Sequence, residues 1–348
     1  MLNMTMDRLV NRTYSVLLAL LLTLALAGCR QEPLPESGDA IRFSVSDASA
    51  VSLMTKAEGD LTDKQSLIAN DSKVKLYGSY DKNTSTAIFS GDELTCKIAG
   101  DVVSWSYGAP VRFWDKQYTF DFRAVFPTTA DIQSGSSSAS VVVNFGTTET
   151  NGDYDLMVAS APGIKASEQM AKDDKTVSLK FLHACAAVRV MFNDPNVVVP
   201  AEGDDPTYNY TLQSFKLVGL HKGGTLAYTG DSSASGATVS GWTLDESATD
   251  LFAWSAGTPW GVPKEHTAFG GWHYVVPQSV DGAKLVFTYK VGNEVMPLTL
   301  DLKTSAIESW DPGKAYTYKV TILAHSIDFT VSCEAWTTVD DVVIGPIG

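Results

Sequence analysis

The sequence predicts an all-β protein made of β-sandwich domains in tandem. Short segments of strict apolar–polar alternation recur along it, the pattern of strands with one buried face. Gly and Pro separate these segments, and only residues 166–172 read as locally helical. Strands followed by turns, without intervening helices, argue for sandwiches over a parallel α/β sheet.

The chain opens with Arg8 and Arg12, then an apolar run over 16–26, then Ala27-Gly28-Cys29. A basic stretch, an apolar core and small residues before a cut define an export signal. The run is too short for a spanning helix, which needs ~20 residues. Cys after Ala-Gly follows the bacterial lipobox pattern, in which the chain is cut ahead of Cys29 and Cys29 carries the lipid. Residues 1–28 are therefore expected to be a lipoprotein signal peptide outside the folded chain. Residues 30–40, with Pro33 and Pro35 among polar residues, read as a tether.

The first strand is expected at Ile41, Phe43 and Val45, which alternate with Arg42, Ser44 and Ser46. Residues 48–60 read as an exposed loop containing Lys56. Strands follow at 74–80, at 118–126 ending on Pro127, and at 141–145 after a Ser- and Gly-rich loop. Residues 177–192 form a long apolar stretch, with Val188, Val190 and Phe192 alternating at its end. Residues 194–206 hold Pro195, Pro200, Pro206 and Gly203 with acidic residues, and mark the expected domain boundary. Further strands are expected at 212–220, 285–291, 296–302, 316–322 and 329–333. Two sandwich domains are thus placed at 57–198 and 207–348.

Apolar residues make up 44% of the chain, so a sizeable core is available, and the net charge is −14. An acidic exported chain is a poor nucleic-acid binder, because that binding rests on clustered Lys and Arg. Cys96, Cys185 and Cys333 are odd in number and widely spaced, so buried thiols are expected rather than a disulfide framework. The five histidines form no metal-binding pair of recognised spacing, and no nucleophile elbow or phosphate-binding loop occurs. No enzyme, metal or cofactor is expected. Trp254, Trp260 and Trp272 lie in a Gly-rich region. As loop aromatics they are candidate ligand contacts for a glycan-binding lipoprotein, the alternative function; as core residues they would cap a sandwich.

Asp155-Leu156-Met157-Val158-Ala159 precedes a Leu179-x-Phe181-x-His183-x-x-Ala186-x-Val188 segment, and the chain nears its end with Trp310-Asp311-Pro312-Gly313-Lys314-Ala315-Tyr316-Thr317-Tyr318. This order, behind a lipobox, resembles the fimbrillin-like proteins, the subunits of type V pili. The resemblance covers nearly all of the mature chain. It implies two transthyretin-like sandwiches, a lipid anchor in the outer membrane, and a cell-surface fimbrium. It also implies proteolysis in the N-terminal loop, loss of the first strand, and filling of the vacated groove by a neighbour. Mapped here, residues 29–56 are the lipidated tether and removable strand (Ile41, Phe43, Val45). Lys56 is the processing site, with Lys64 its rival. The donor is segment 337–347, with Val339, Val342, Val343 and Ile344. The alternatives are an ordinary solvated Lys56 and a last strand packed within its own domain. Implied partners are other fimbrial subunits, in a homo- or heteropolymer, and a host protein or glycan; nucleic acid is not among them.

Overall fold

The computed structural model describes residues 39–47, 67–81, 87–100, 102–146, 154–198, 207–323 and 326–335. The signal peptide, Cys29, Lys56, Lys64 and Val339, Val342, Val343 and Ile344 lie outside the described residues. Residues 40–348 cluster as one unit, and its described part is almost entirely β.

Seven strands form the first sheet. Their order is β1 (Arg42–Asp47), β9 (Thr176–His183), β8 (Met157–Lys165), β5 (Thr119–Phe126), β2 (Lys73–Tyr80), β3 (Ala87–Ala99) and β4 (Val102–Tyr107). One face buries Val74, Leu76, Phe89, Leu94, Phe120, Phe122, Leu179 and Phe181. The sheet curls until its edges approach: Tyr107, closing β4, donates its hydroxyl to the carbonyl of Ile41, just ahead of β1, at 2.9 Å. The one described helix, α1 (Ala166–Met170), caps the turn between β8 and β9.

A four-stranded sheet of β13 (Trp242–Leu244), β12 (Gly223–Tyr228), β7 (Val141–Gly146) and β6 (Asp131–Ile132) follows. Its Val141, Val143, Phe145 and Leu226 share a core with Tyr77, Val125 and Val158, which point from the other face of the first sheet. Arg123 also lies on that face. Its alternation with Phe122 and Ala124 suggests a solvated side chain, yet it is buried, donating to the carbonyls of Phe122 and Thr229.

The remaining sandwich has two four-stranded sheets. One runs β15 (Thr267–Val275), β10 (Ala186–Asn193), β20 (Lys314–Ile322), β21 (Ile327–Ala335); the other runs β14 (Ser247–Gly261), β11 (Tyr210–His221), β17 (Lys284–Val291), β18 (Glu294–Asp301). Between them lie Phe192, Leu212, Leu217, Leu285, Phe287, Tyr318 and Val320. β16 (Gln278–Ser279) and β19 (Ser309–Trp310) make a small bridge at one end.

The sheets do not divide at 198–207. β10 precedes that linker, yet pairs with β15 on one side and, in parallel, with β20 on the other. β7 likewise reaches across to β12. β10 serves two cores, with Val188, Val190 and Phe192 in one and Ala187 in the other. From Val188 onward it alternates as the sequence does, with Val188, Val190 and Phe192 buried and Arg189 and Met191 half-buried.

The chain passes between cores at Ala184-Cys185, both buried, and the backbone groups there are hydrogen-bonded. Ala184 N–H donates to Leu156 O (2.7 Å), Gly313 N–H to Cys185 O (2.9 Å), and Trp242 Nε1–H to Ala184 O (3.1 Å). His183 Nδ1 meets Asp155 Oδ2 at 2.5 Å, the imidazole only 3% exposed. The Asp155 and His183 segments are thus one junction, and buried backbone groups there are satisfied as burial requires.

Two expectations need correction. Cys96 and Cys185 are buried free thiols, but Cys333 is exposed. It sits near the end of β21, opposite Tyr316, where neighbours no longer cover the strand. Met296 is 40% exposed rather than inward-facing, because β18 is a sheet edge reaching past the core; Leu302 at its far end is fully buried.

Candidate functional site

The site is the seat of β1 at the edge of the seven-stranded sheet. β1 runs parallel to β9, with Arg42 opposite Thr176 and Asp47 opposite Phe181. Ile41, Phe43 and Val45 are buried while Arg42, Ser44 and Ser46 are exposed, as their alternation predicts. Burial of such side chains contributes about 1.5–3 kcal/mol each. β1 is therefore an edge element that completes the core from outside.

Phe43 occupies the middle of the seat. Its ring lies edge-on to Phe122 at 5.1 Å, Phe89 at 5.6 Å and Tyr107 at 6.2 Å. Two of these rings rest against Gly78 of β2, where an added Cβ would come within 2.8 Å of Phe122 and 3.0 Å of Phe89. A glycine inside a strand marks a close approach; here it lets the pocket floor sit deep enough for an aromatic ring.

The start of β1 is gripped on a second side. Ala40 bridges Phe113, and Ile41 N–H donates to Arg112 O at 2.9 Å. Arg112 N–H donates to the Tyr107 hydroxyl at 3.2 Å. The Arg112 guanidinium spans the Phe89 ring (4.9 Å to centroid) and pairs with Asp92 at 2.6 Å, both side chains largely covered. Burial raises the Tyr107 phenol above its ordinary pKa, which keeps it a donor to Ile41. None of Tyr107, Arg112, Phe89 and Phe122 is singled out by motif; the legible signal was Gly78, an isolated glycine inside a strand pattern.

The tryptophans do not share one exposed face. Trp272 is buried beneath the Arg189 guanidinium, 4.2 Å from the ring centroid. Trp260 is half-buried against Phe192 and Phe269. Trp254 lies in β14 opposite Phe215. Both placed rings serve the cores, as their large apolar area favours. Among the described residues, no group of three His, Cys, Asp or Glu is arranged to hold a metal, and no helix is long and apolar enough to cross a membrane.

The fimbrillin-like family model matches residues 55–336. The chain belongs to that family. Solved structures share the fold of this chain. A candidate cell adhesion protein from Bacteroides uniformis superposes with TM-score 0.53 at 16% identity, covering 86% of this chain and 98% of its own. A fimbrial protein from Bacteroides vulgatus gives 0.52 at 16%, covering 86% and 99%. A candidate cell adhesion protein from Bacteroides ovatus gives 0.51 at 14%, covering 87% and 100%. No curated protein matches the chain. Membership in this family implies a place in a cell-surface fimbrium.

Proposed function

We propose that this chain is a structural and adhesive fimbrial subunit, not an enzyme. It is exported as a lipoprotein through Cys29, held at the outer membrane, and assembled by protease-triggered strand exchange. A cut at Lys56 releases β1, whose side chains Ile41, Phe43 and Val45 then leave an open groove. A strand from a neighbouring subunit fills it, and the segment 337–347, with Val339, Val342, Val343 and Ile344, is offered in turn to another subunit.

One observation carries this reading: β1, with Ile41 just ahead of it, is an edge element that supplies three buried side chains to a core otherwise built from later strands. An edge with unpaired backbone groups is a template for another strand. Occupying it with the chain's own strand keeps the subunit soluble until processing.

Limited trypsinolysis of the folded precursor tests the proposal. The expected result is a cut between residues 47 and 67, after which a labelled peptide of sequence 39–48 exchanges into the body. Resistance of that segment, or a cut after which no peptide enters, refutes strand exchange.

A further inference from the structure

We infer that the strand replacing β1 belongs to a different kind of subunit, and that its inward side chains read aliphatic–x–aromatic–x–aliphatic. The inference rests on the strand-exchange reading above and names the partner's chemistry. The seat has three inward positions, two residues apart, filled by Ile41, Phe43 and Val45. The middle one is walled by three rings within 6.2 Å of the Phe43 centroid, each edge-on. Edge-to-face ring pairs add favourable energy beyond the area they bury. An aliphatic side chain there forfeits those contacts and leaves part of the pocket empty.

The chain's own donor segment does not meet this requirement. Residues 337–348 read Thr-Thr-Val-Asp-Asp-Val-Val-Ile-Gly-Pro-Ile-Gly and contain no aromatic residue. Every way of laying it into the seat puts Asp, Gly or Pro at one of the three inward positions. Val342 and Ile344 in the first two places bring Pro346 to the third; Val343 in the first brings Gly345 to the middle; Ile344 in the third brings Asp340 to the first. The reversed direction visits the same triplets. A buried unpaired carboxylate is costly, Gly leaves the pocket empty, and Pro lacks the N–H that strand pairing uses. The segment is thus built for another subunit's groove, and this groove for another subunit's strand.

The test uses the full chain after the cut between residues 47 and 67, with three fluorescent peptides: residues 39–48, the same with Phe43→Ile, and residues 337–348. The 39–48 peptide is expected to enter. The Phe43→Ile form should bind at least ~10-fold more weakly. The 337–348 peptide should not compete, and the cut chain alone should stay monomeric. Entry of the 337–348 peptide on a par with 39–48, or polymerisation of the cut chain by itself, overturns the inference while leaving strand exchange standing. Failure of all three peptides overturns strand exchange itself.

Discussion

Replacing Phe43 by Ala separates the docking of β1 from the stability of the body it docks on. Phe43 is 4% exposed, and its ring touches those of Phe122, Phe89 and Tyr107. Phe→Ala in a packed core costs about 3–5 kcal/mol. Among the described residues, β1 pairs with β9 alone along its length. The cost should therefore fall on a local opening, not on global unfolding. Amide hydrogen exchange measures this directly. Protection over residues 42–47 should drop by roughly two to three and a half orders of magnitude, from the 3–5 kcal/mol just given. Protection in β2 and β5, which hold the sheet centre, should change far less. If amides in all three strands lose protection by the same factor, β1 is part of the cooperative body and the picture of a separable plug fails.

Three further outcomes follow from the same contacts. Tyr107→Phe removes the hydroxyl that reaches Ile41 O; it should weaken β1 docking by about 1 kcal/mol, read as faster appearance of the trypsin-released fragment. Asp155→Ala leaves the buried His183 imidazole without its carboxylate and should lower stability by about 1–3 kcal/mol, seen as a lower urea midpoint at unchanged slope. Tyr318 is raised from 10.0 to about 12, chiefly by burial. Because its folded pKa lies above the unfolded one, its stabilisation is whole below pH 10 and about 2–3 kcal/mol is lost by pH 12. Tyr318→Phe should flatten the alkaline limb of the stability profile between those values; an unchanged slope contradicts the assignment.

Local pattern proved readable wherever one face of a strand is wet. Ile41, Phe43 and Val45 alternate in sequence and in burial alike, because the opposite face of β1 meets solvent. The strand expected at 141–145 is β7, and 212–220 falls within β11. What the sequence hides is pairing at a distance. Nothing local tells that β10 joins strands from beyond the Pro-rich linker, or that β1 lies against β9 some 130 residues on. Trp272 was legible as an aromatic in a Gly-rich stretch, but its cover comes from Arg189 on another strand. The floor of the β1 seat is invisible for the same reason: Gly78, Phe89, Phe122 and Tyr107 meet only after four strands are in register.

The uneven grip on β1 gives its removal a direction. At Ala40 and Ile41, ahead of the β9 ladder, the chain is held by the loop at Arg112 and Phe113 and by the Tyr107 hydroxyl. Toward Asp47, β9 is its one described pairing partner. A strand held this way opens like a zipper with its stop at one end. Under the strand exchange proposed above, an invading strand would gain its foothold near Val45 and displace Ile41 last. The end that lets go last is the N-terminal one, so an opening halted midway leaves Ile41 still docked. The order in which the contacts break is thereby written into the geometry.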